Sequence, residues 1–299
     1  MEQNQYEALK SNDEEIWSGA LTALTNEHSV KSLNALIEAL SDHSWRKREV
    51  VANRILKWGD SNLSSLLVPH LNSNNIDKFY WILRILGNIS DDISINAIKP
   101  ILNQQDSELR GYAVQALGKK KQLVNDRALY PMLNDSNWSV RKLAFTNLLE
   151  FGEMILDDLR KIIITSYKAS NHNVVALFIK IGKESVLPEL HKYYSGGSFS
   201  LRYAILSSIG EIGNNDSTDF LIKGLSDSSW AIRLVASEQL LKIGPKAFDR
   251  LTASFGKSDS IVRHEIINIL VSLLAEKAMP FLTRLLSRSE ERRVGKECL

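Results

Sequence analysis

The 299-residue chain has little of what usually announces a function. It has one cysteine, Cys298, so an internal disulfide framework and a cysteine metal cluster are both excluded. Its 37 basic and 35 acidic residues leave a net charge of +2. That field is too small to imply a nucleic-acid backbone or an anionic membrane as partner. No run of 18 apolar residues occurs, so no spanning helix is expected. The opening "MEQNQYEALKSNDEEIW" lacks the apolar core of a signal peptide, which makes the cytoplasm the expected location. Sequences of the form GxGxxG, GxxxxGK[ST], GxSxG and HExxH are missing, and with them the common phosphate-cradling, serine-nucleophile and zinc signatures. The glycine pair in "YYSGGSFS" falls in an inter-helix turn and is no phosphate loop. Alternation at period two is absent over any useful length, which removes strands.

What the chain does have is repetition. "SDHSWRKREVVANRILKWG" from Ser41, "NDSNWSVRKLAFTNLLEFG" from Asn134 and "SDSSWAIRLVASEQLLKIG" from Ser226 share one layout, 93 and 92 residues apart, about three times 31. With the arginine of each as position zero, steps of 30 or 31 give Trp17, Arg48, Phe79, Arg110, Arg141, Asn171, Arg202, Arg233 and Arg263. Positions −8 and +7 are aliphatic or aromatic in every unit. At −4 stand Asp13, Ser44, Asn75, Asp106, Asn137, Tyr167, Ser198, Ser229 and Asp259, of which all but Tyr167 are strong N-cap residues. At +11, Gly59, Gly152, Gly182, Gly213 and Gly244 suit a left-handed helix end.

The frame predicts a helix B from about −3 to +10 with a buried stripe at +3, +4 and +7. A helix A ending near −8 precedes it. A lone pair of short helices cannot bury its apolar face, whereas stacked pairs cover one another. Nine units fit between about residues 4 and 277, and a tenth helix A follows in "AEKAMPFLTRLLS". Pro69, Pro100 and Pro131 recur at −10, and Pro188 and Pro280 at −14, which predicts bent or shortened A helices. The expected architecture is all-α: a right-handed α-solenoid of nine to ten two-helix repeats, one elongated domain over 1–286. The tail "SRSEERRVGKECL", 287–299, breaks the pattern and is expected to be irregular or non-native, with Cys298 as a mobile thiol.

The pattern D-x-[SN]-W-x-[VI]-R-x-x-A in two-helix units of about 31 residues resembles HEAT repeats, most closely the short class of phycobilisome-lyase-type, armadillo-like helical proteins. The resemblance covers 4–286 and is weakest around Phe79 and Asn171. It implies a structural role for the arginine column Arg48, Arg110, Arg141, Arg202, Arg233 and Arg263. Their implied partners are the aspartates of the preceding turn, Asp42, Asp135 and Asp227 at −6, often linking neighbouring units. A phosphate-binding row is the alternative. Trp45, Trp138 and Trp230 at −3 are read as covers for the turn, since a base-stacking row would need basic neighbours on the same edge.

Function in such an array is expected on the exposed face of helix B, the inner curve, at +1, +2 and +5. There the candidates for partner binding are Tyr80, Trp81, Arg84, Tyr112, Gln115, Lys142, Thr146 and Tyr203, rich in residue types that anchor interfaces. Packing between B helices is the competing role for Trp81 and Tyr112. Enzymes share the fold resemblance, and each makes a demand. Di-iron deoxyhypusine hydroxylases need several His-Glu pairs, and Arg263-His264-Glu265 holds the one such pair here, so no metal and no cofactor is expected. Glycosylase-like proteins need a carboxylate among aromatics on a basic face, and only scattered glutamates such as Glu49, Glu238 and Glu265 stand there. Bilin-lyase-type proteins offer no motif to compare. The reading therefore favours a monomeric, non-catalytic adaptor for a protein partner, with nucleic acid and membrane disfavoured. A HEAT-like enzyme, glycosylase-like or bilin-lyase-type, is the alternative.

Overall fold

In a computed structural model, residues 2–72, 75–120, 127–165 and 172–297 are described. Position zero of the sixth unit (Asn171), its N-cap position (Tyr167) and Cys298 lie outside them. All regular structure among the described residues is helical. Contacts divide the chain into two compact units, Met1–Phe151 and Gly152–Leu299.

The first unit contains α1 (Glu2–Ala8), α2 (Glu14–Glu27), α3 (Val30–Ala39), α4 (Trp45–Leu56), α5 (Leu63–Leu67), α6 (Ile76–Asn88), α7 (Asp92–Ile98), α8 (Ser107–Gly118) and α9 (Trp138–Leu149). The even-numbered members and α9 are the B helices, and α4, α6, α8 and α9 pack in succession. The second unit contains α10 (Leu156–Thr165), α11 (His172–Gly182), α12 (Leu187–Gly196), α13 (Phe199–Ile209), α14 (Asn215–Gly224), α15 (Trp230–Ile243), α16 (Phe248–Phe255) and α17 (Ser260–Glu297). Its B helices α11, α13, α15 and α17 also pack in succession.

The repeat frame explains these elements residue by residue. Helix B begins at Trp45, Trp138 and Trp230, the −3 position. Most of the expected caps are formed: Asp13 accepts from the Glu15 and Ile16 amides, Asn75 from Lys78, Asp106 from Glu108, Asn137 from Ser139 and Asp259 from Val262, whereas the Ser229 side chain at the start of α15 accepts none. Each satisfies backbone donors that a helix start leaves open. The stripe at +3, +4 and +7 forms the core, as in Val51, Ala52 and Ile55 of α4 or Ile205, Leu206 and Ile209 of α13. No helix among the described residues is long and apolar enough to cross a membrane.

The −10 prolines act as expected. Around Pro69 and Pro100 the α-helix gives way to 3₁₀ segments, Val68–Asn72 and Lys99–Asn103, and around Pro131 helix A is 3₁₀ throughout, Arg127–Asn134. Pro188 instead sits in the first turn of α12, where no internal hydrogen bond is lost. Pro280 lies inside α17, which runs unbroken to Glu297. A new helix A and an irregular tail from 287 were expected there. The break is absent because neither a glycine at +11 nor an N-cap residue follows Leu273.

Four of the five +11 glycines, Gly59, Gly152, Gly213 and Gly244, have positive φ between 59° and 73°. Gly182 does not. It stays helical, and Lys183 takes the left-handed conformation at φ 48°. A Cβ on Gly182 would stand 2.2 Å from Val186 Cγ1, so this glycine is there for close packing.

One buried charge holds adjacent repeats together. Lys120 is 1% exposed, and its Nζ donates to the carbonyls of Leu86 and Ile89 at the end of α6 and to Ser94 Oγ in α7. Burial pushes its pKa down, opposed by the Asp91 carboxylate. The lysine thus ends α6 as a C-cap would, with one cation serving carbonyls that helix geometry leaves open.

Candidate partner-binding surface

The arginine column makes two kinds of bond. Arg141 and Arg233 reach back to the carbonyls of their own turn, Asp135 (2.7 Å) and Ser136 (2.9 Å), and Asp227 (2.8 Å) and Ser228 (3.2 Å). Arg263 does the same weakly, from Nε to the Asp259 carbonyl. The carboxylates at −6 go elsewhere. Asp135 takes a two-pronged pair from Arg110 (Nε–Oδ2 2.7 Å, Nη2–Oδ1 2.8 Å), 25 residues earlier. Asp227 pairs with Arg202 (Nε–Oδ2 3.0 Å), again 25 residues earlier. Asp135 and Asp227 therefore bind the arginine one unit earlier rather than the arginine six residues after them, which corrects the partner expected for each and leaves the expected link between neighbouring units in place. Asp42 makes no such pair, because position zero before it is Trp17, and its carboxylate caps only the Ser44 amide. Arg48 pairs with Asp77 instead.

These pairs are buried and polarised. Asp135 lies below the ordinary carboxylate range, chiefly because Arg110 donates to it, and Arg110 is raised in return. Burial pushes Asp227 upward, but the Ser229 amide, the Tyr194 hydroxyl at 2.7 Å and Arg202 outweigh it and leave the carboxyl lowered. Burial and the Asp227 carboxylate raise the Tyr194 phenol. The cations of this column are committed to turns and to neighbouring units.

The partner-binding candidates divide three ways. Tyr80, Arg84, Tyr112 and Gln115 converge on one cavity of about 290 Å³, together with Leu83, Ala116 and Lys119. The Tyr80 and Tyr112 rings lie 4.7 Å apart at 57°. A close helix approach sets this up: a Cβ on Gly87 of α6 would come within 3.0 Å of Ala116 Cα in α8. Trp81 belongs to a second group. It is 1% exposed, so it is a core residue and presents no contact surface. Ala204 and Val235, also at +2, turn inward likewise at 2% and 5% exposure, whereas Tyr112 at +2 of α8 lines the cavity. Trp81 still shapes the site from beneath, since the Arg84 guanidinium lies 4.7 Å from its ring centroid and the Tyr80 ring meets it edge-on at 5.4 Å. Lys142, Thr146 and Tyr203 form the third group. Lys142 and Thr146 are exposed on α9 without lining the cavity, and Lys142 stands 5.9 Å over the Trp138 ring. Tyr203 is 41% exposed on α13 in the other unit, near Phe199 and His172.

The cavity wall is cationic, with carboxylates only around its edge. Two cations and no acid line it. Burial, then the Glu108 carboxylate, followed by the Tyr80 phenol and the Asp77 and Asp106 carboxylates, raise the Tyr112 phenol. Burial, then the Arg84 charge, lower Lys119. Arg84 is itself only loosely held, 3.5 Å from Glu49. Lys119 and Ala116 were missed at the sequence level because they stand at +9 and +6, outside the columns assigned to the exposed face.

The tryptophans at −3 do not cover their turns. Trp45, Trp138 and Trp230 are 56%, 65% and 70% exposed, because the first helical residue stands at the rim of the stack with no turn before it to lie on. Among the described residues, no group of three or more His, Cys, Asp or Glu side chains could hold a metal ion.

A family model of HEAT repeats matches residues 187–271 and 218–298, a stretch within the 31-residue pattern that resembles that family. Three solved structures illustrate what it is similar to. The first is a homology model of the full-length AP-3 complex (16% identity, 90% of this chain, 56% of that one, TM-score 0.41). The second is the structure in which Kap95p binding switches the loops of RanGDP (12% identity, 91% of this chain, 45% of that one, TM-score 0.48). The third is the complex of CpcE and CpcF of phycocyanin lyase from Nostoc sp. PCC7120 (17% identity, 90% and 93% covered, TM-score 0.32). The chain spans about half the length of the first two. No curated protein matches the sequence.

Proposed function

We propose that this HEAT-repeat chain is a non-catalytic scaffold that binds a protein partner through the surface of α6 and α8. One observation carries the reading. Tyr80, Arg84, Tyr112 and Gln115, four residues from two neighbouring repeats, meet at one cavity whose polar groups are left open. Among the described residues, the phenols of Tyr80 and Tyr112, the Gln115 amide and the Lys119 ammonium make no hydrogen bond or ion pair. Paired tyrosines beside an arginine stacked on a buried tryptophan make a rigid amphipathic anchor, the composition that dominates binding energy at protein interfaces. The pocket, at about 290 Å³, has room for one or two side chains and is small for a drug-sized substrate.

The test is affinity capture from the source cell's lysate with wild type and a Tyr80→Ala/Tyr112→Ala variant. A protein retained by wild type and lost by the variant is expected. Salt-sensitive recovery of nucleic acid alone would sink the scaffold reading. The same protein held equally by both forms would move the site to another face.

A further inference from the structure

We infer that the partner engages the α6–α8 cavity with an acidic segment, a carboxylate-bearing stretch of protein seated between Arg84 and Lys119. The inference rests on the scaffold reading above and specifies the chemistry of its partner.

The argument starts from donors and acceptors. A guanidinium and an ammonium only donate hydrogen bonds, and a tyrosine hydroxyl or a carboxamide can donate as well. The cavity therefore presents Arg84, Lys119, Tyr80, Tyr112 and Gln115 as donors, with no carboxylate in its wall. A ligand that satisfies such a wall must be rich in acceptors and carry negative charge. A basic segment would bring like charges together and set donor-only groups against Arg84 and Lys119.

The two cations also act on each other. Arg84 disfavours the charged form of Lys119, which happens when like charges share a site without an anion between them. An incoming carboxylate removes that repulsion and can take Arg84 from Glu49, whose 3.5 Å contact is at the outer limit of a hydrogen bond. The apolar part of the wall, Leu83, Ala116 and the tyrosine faces, calls for an aliphatic or aromatic residue next to the acid. By contrast, three other arginines are engaged by acids: Arg110 and Arg202 by Asp135 and Asp227, Arg160 by Glu189 and Asp157.

The probe is a short fluorescein-labelled peptide of alternating glutamate and leucine. Its counterparts carry glutamine or lysine in place of glutamate. Anisotropy titrations use the full chain, Lys119→Glu and Arg84→Gln. Lys119 is exposed and unpaired among the described residues, so Lys119→Glu should leave the melting curve in place. The glutamate peptide should bind wild type at least ~10-fold more tightly than the glutamine peptide, and Lys119→Glu should weaken it by a similar factor. Raising NaCl from ~50 to ~300 mM should weaken it further, because screening shortens the reach of both cations. Equal binding of the glutamate and glutamine peptides, or of wild type and Lys119→Glu, would overturn the inference, as would no binding at all. The captured partner separates the two claims. A partner lost by Tyr80→Ala/Tyr112→Ala but kept by Lys119→Glu leaves the scaffold reading standing and removes the acidic segment. A partner kept by both variants removes the scaffold site itself.

Discussion

The α6–α8 surface of the first unit and the α13–α15 surface of the second occupy the same places in the repeat, yet differ in chemistry. At +1 and +5, α6 and α8 present Tyr80, Arg84 and Gln115, while α13 and α15 present Tyr203, Ser207, Leu234 and Glu238. Beneath both lies the same apolar stripe. The first surface gathers around a cavity with two cations, whereas Tyr203 and Leu234 stand 41% and 48% exposed with no cation at +1 or +5 beside them. The +2 residue makes much of the difference. A tryptophan there, Trp81, fills the space under Arg84 and holds it flat, while Ala204 and Val235 give their neighbours no such base. Repeat position therefore sets burial, and the residue at each position sets function.

The sharpest way to break this comparison is to remove the base. Trp81→Ala should cost about 3–5 kcal/mol, read in urea unfolding, because the ring is fully buried. Tyr203→Ala on the other surface should cost less than ~1 kcal/mol, as is usual for a side chain this exposed. Similar losses at both positions would mean that Trp81 is not a buried base that sets the first surface apart.

Next come the inter-repeat links, one in each unit. Arg110→Ala leaves Asp135 buried with only backbone and distant charge for company, and should cost ~3 kcal/mol. Adding Asp135→Asn should recover part of that loss. Arg202→Ala should cost less, ~1–2 kcal/mol, because Tyr194 and the Ser229 amide still hold Asp227. If the order of Arg110 and Arg202 were reversed in denaturation, the supporting role of Tyr194 would be wrong.

These replacements also bear on what could be read from sequence. The buried stripe, most of the N-caps and the effect of the −10 prolines follow from helix periodicity and local hydrogen bonding, and the structure repeats them, the uncapped Ser229 aside. The link between Arg110 and Asp135 crosses from one repeat to the next, and one-dimensional spacing does not say whether an arginine folds onto its own turn or its neighbour's. Trp81 was placed outward because a helical wheel leaves +2 at the border of the apolar arc, where a large ring tips inward if the next helix leaves room. Tyr80, Arg84, Tyr112 and Gln115 were legible as a cluster, while Lys119, one turn beyond them, was not. Lys120 did leave a signal. From the second repeat onward, position +10 reads Trp58, Ile89, Lys120, Phe151, Ile181, Ile212, Ile243 and Leu273, and a lone lysine in an apolar column marks a charge with dedicated partners.

Acid sharpens the comparison between the two links. Asp135 and Asp227 are both held below the usual carboxylate range in the folded chain. Their stabilisation is therefore complete above about pH 4, where unfolded aspartate is ionised, and is lost as pH falls through and below that value. Urea unfolding at pH 6 and at ~pH 3 should show wild type losing more stability than an Arg110→Ala/Asp135→Asn variant, which lacks one of the two carboxyls. Equal losses would assign acid sensitivity to other groups. The smallest expected effect is that of Lys119→Glu on stability, within ~0.5 kcal/mol, against a large effect on anion binding.

The buried Lys120 ammonium has a use at the bench. Amine-reactive reagents modify the free base at solvent-facing lysines, and this one is shut away with its protons turned toward Leu86, Ile89 and Ser94. It can be labelled only when the end of α6 parts from α7. Its modification rate, followed by mass spectrometry beside that of the exposed Lys119, is thus an internal clock for how often those two repeats come apart.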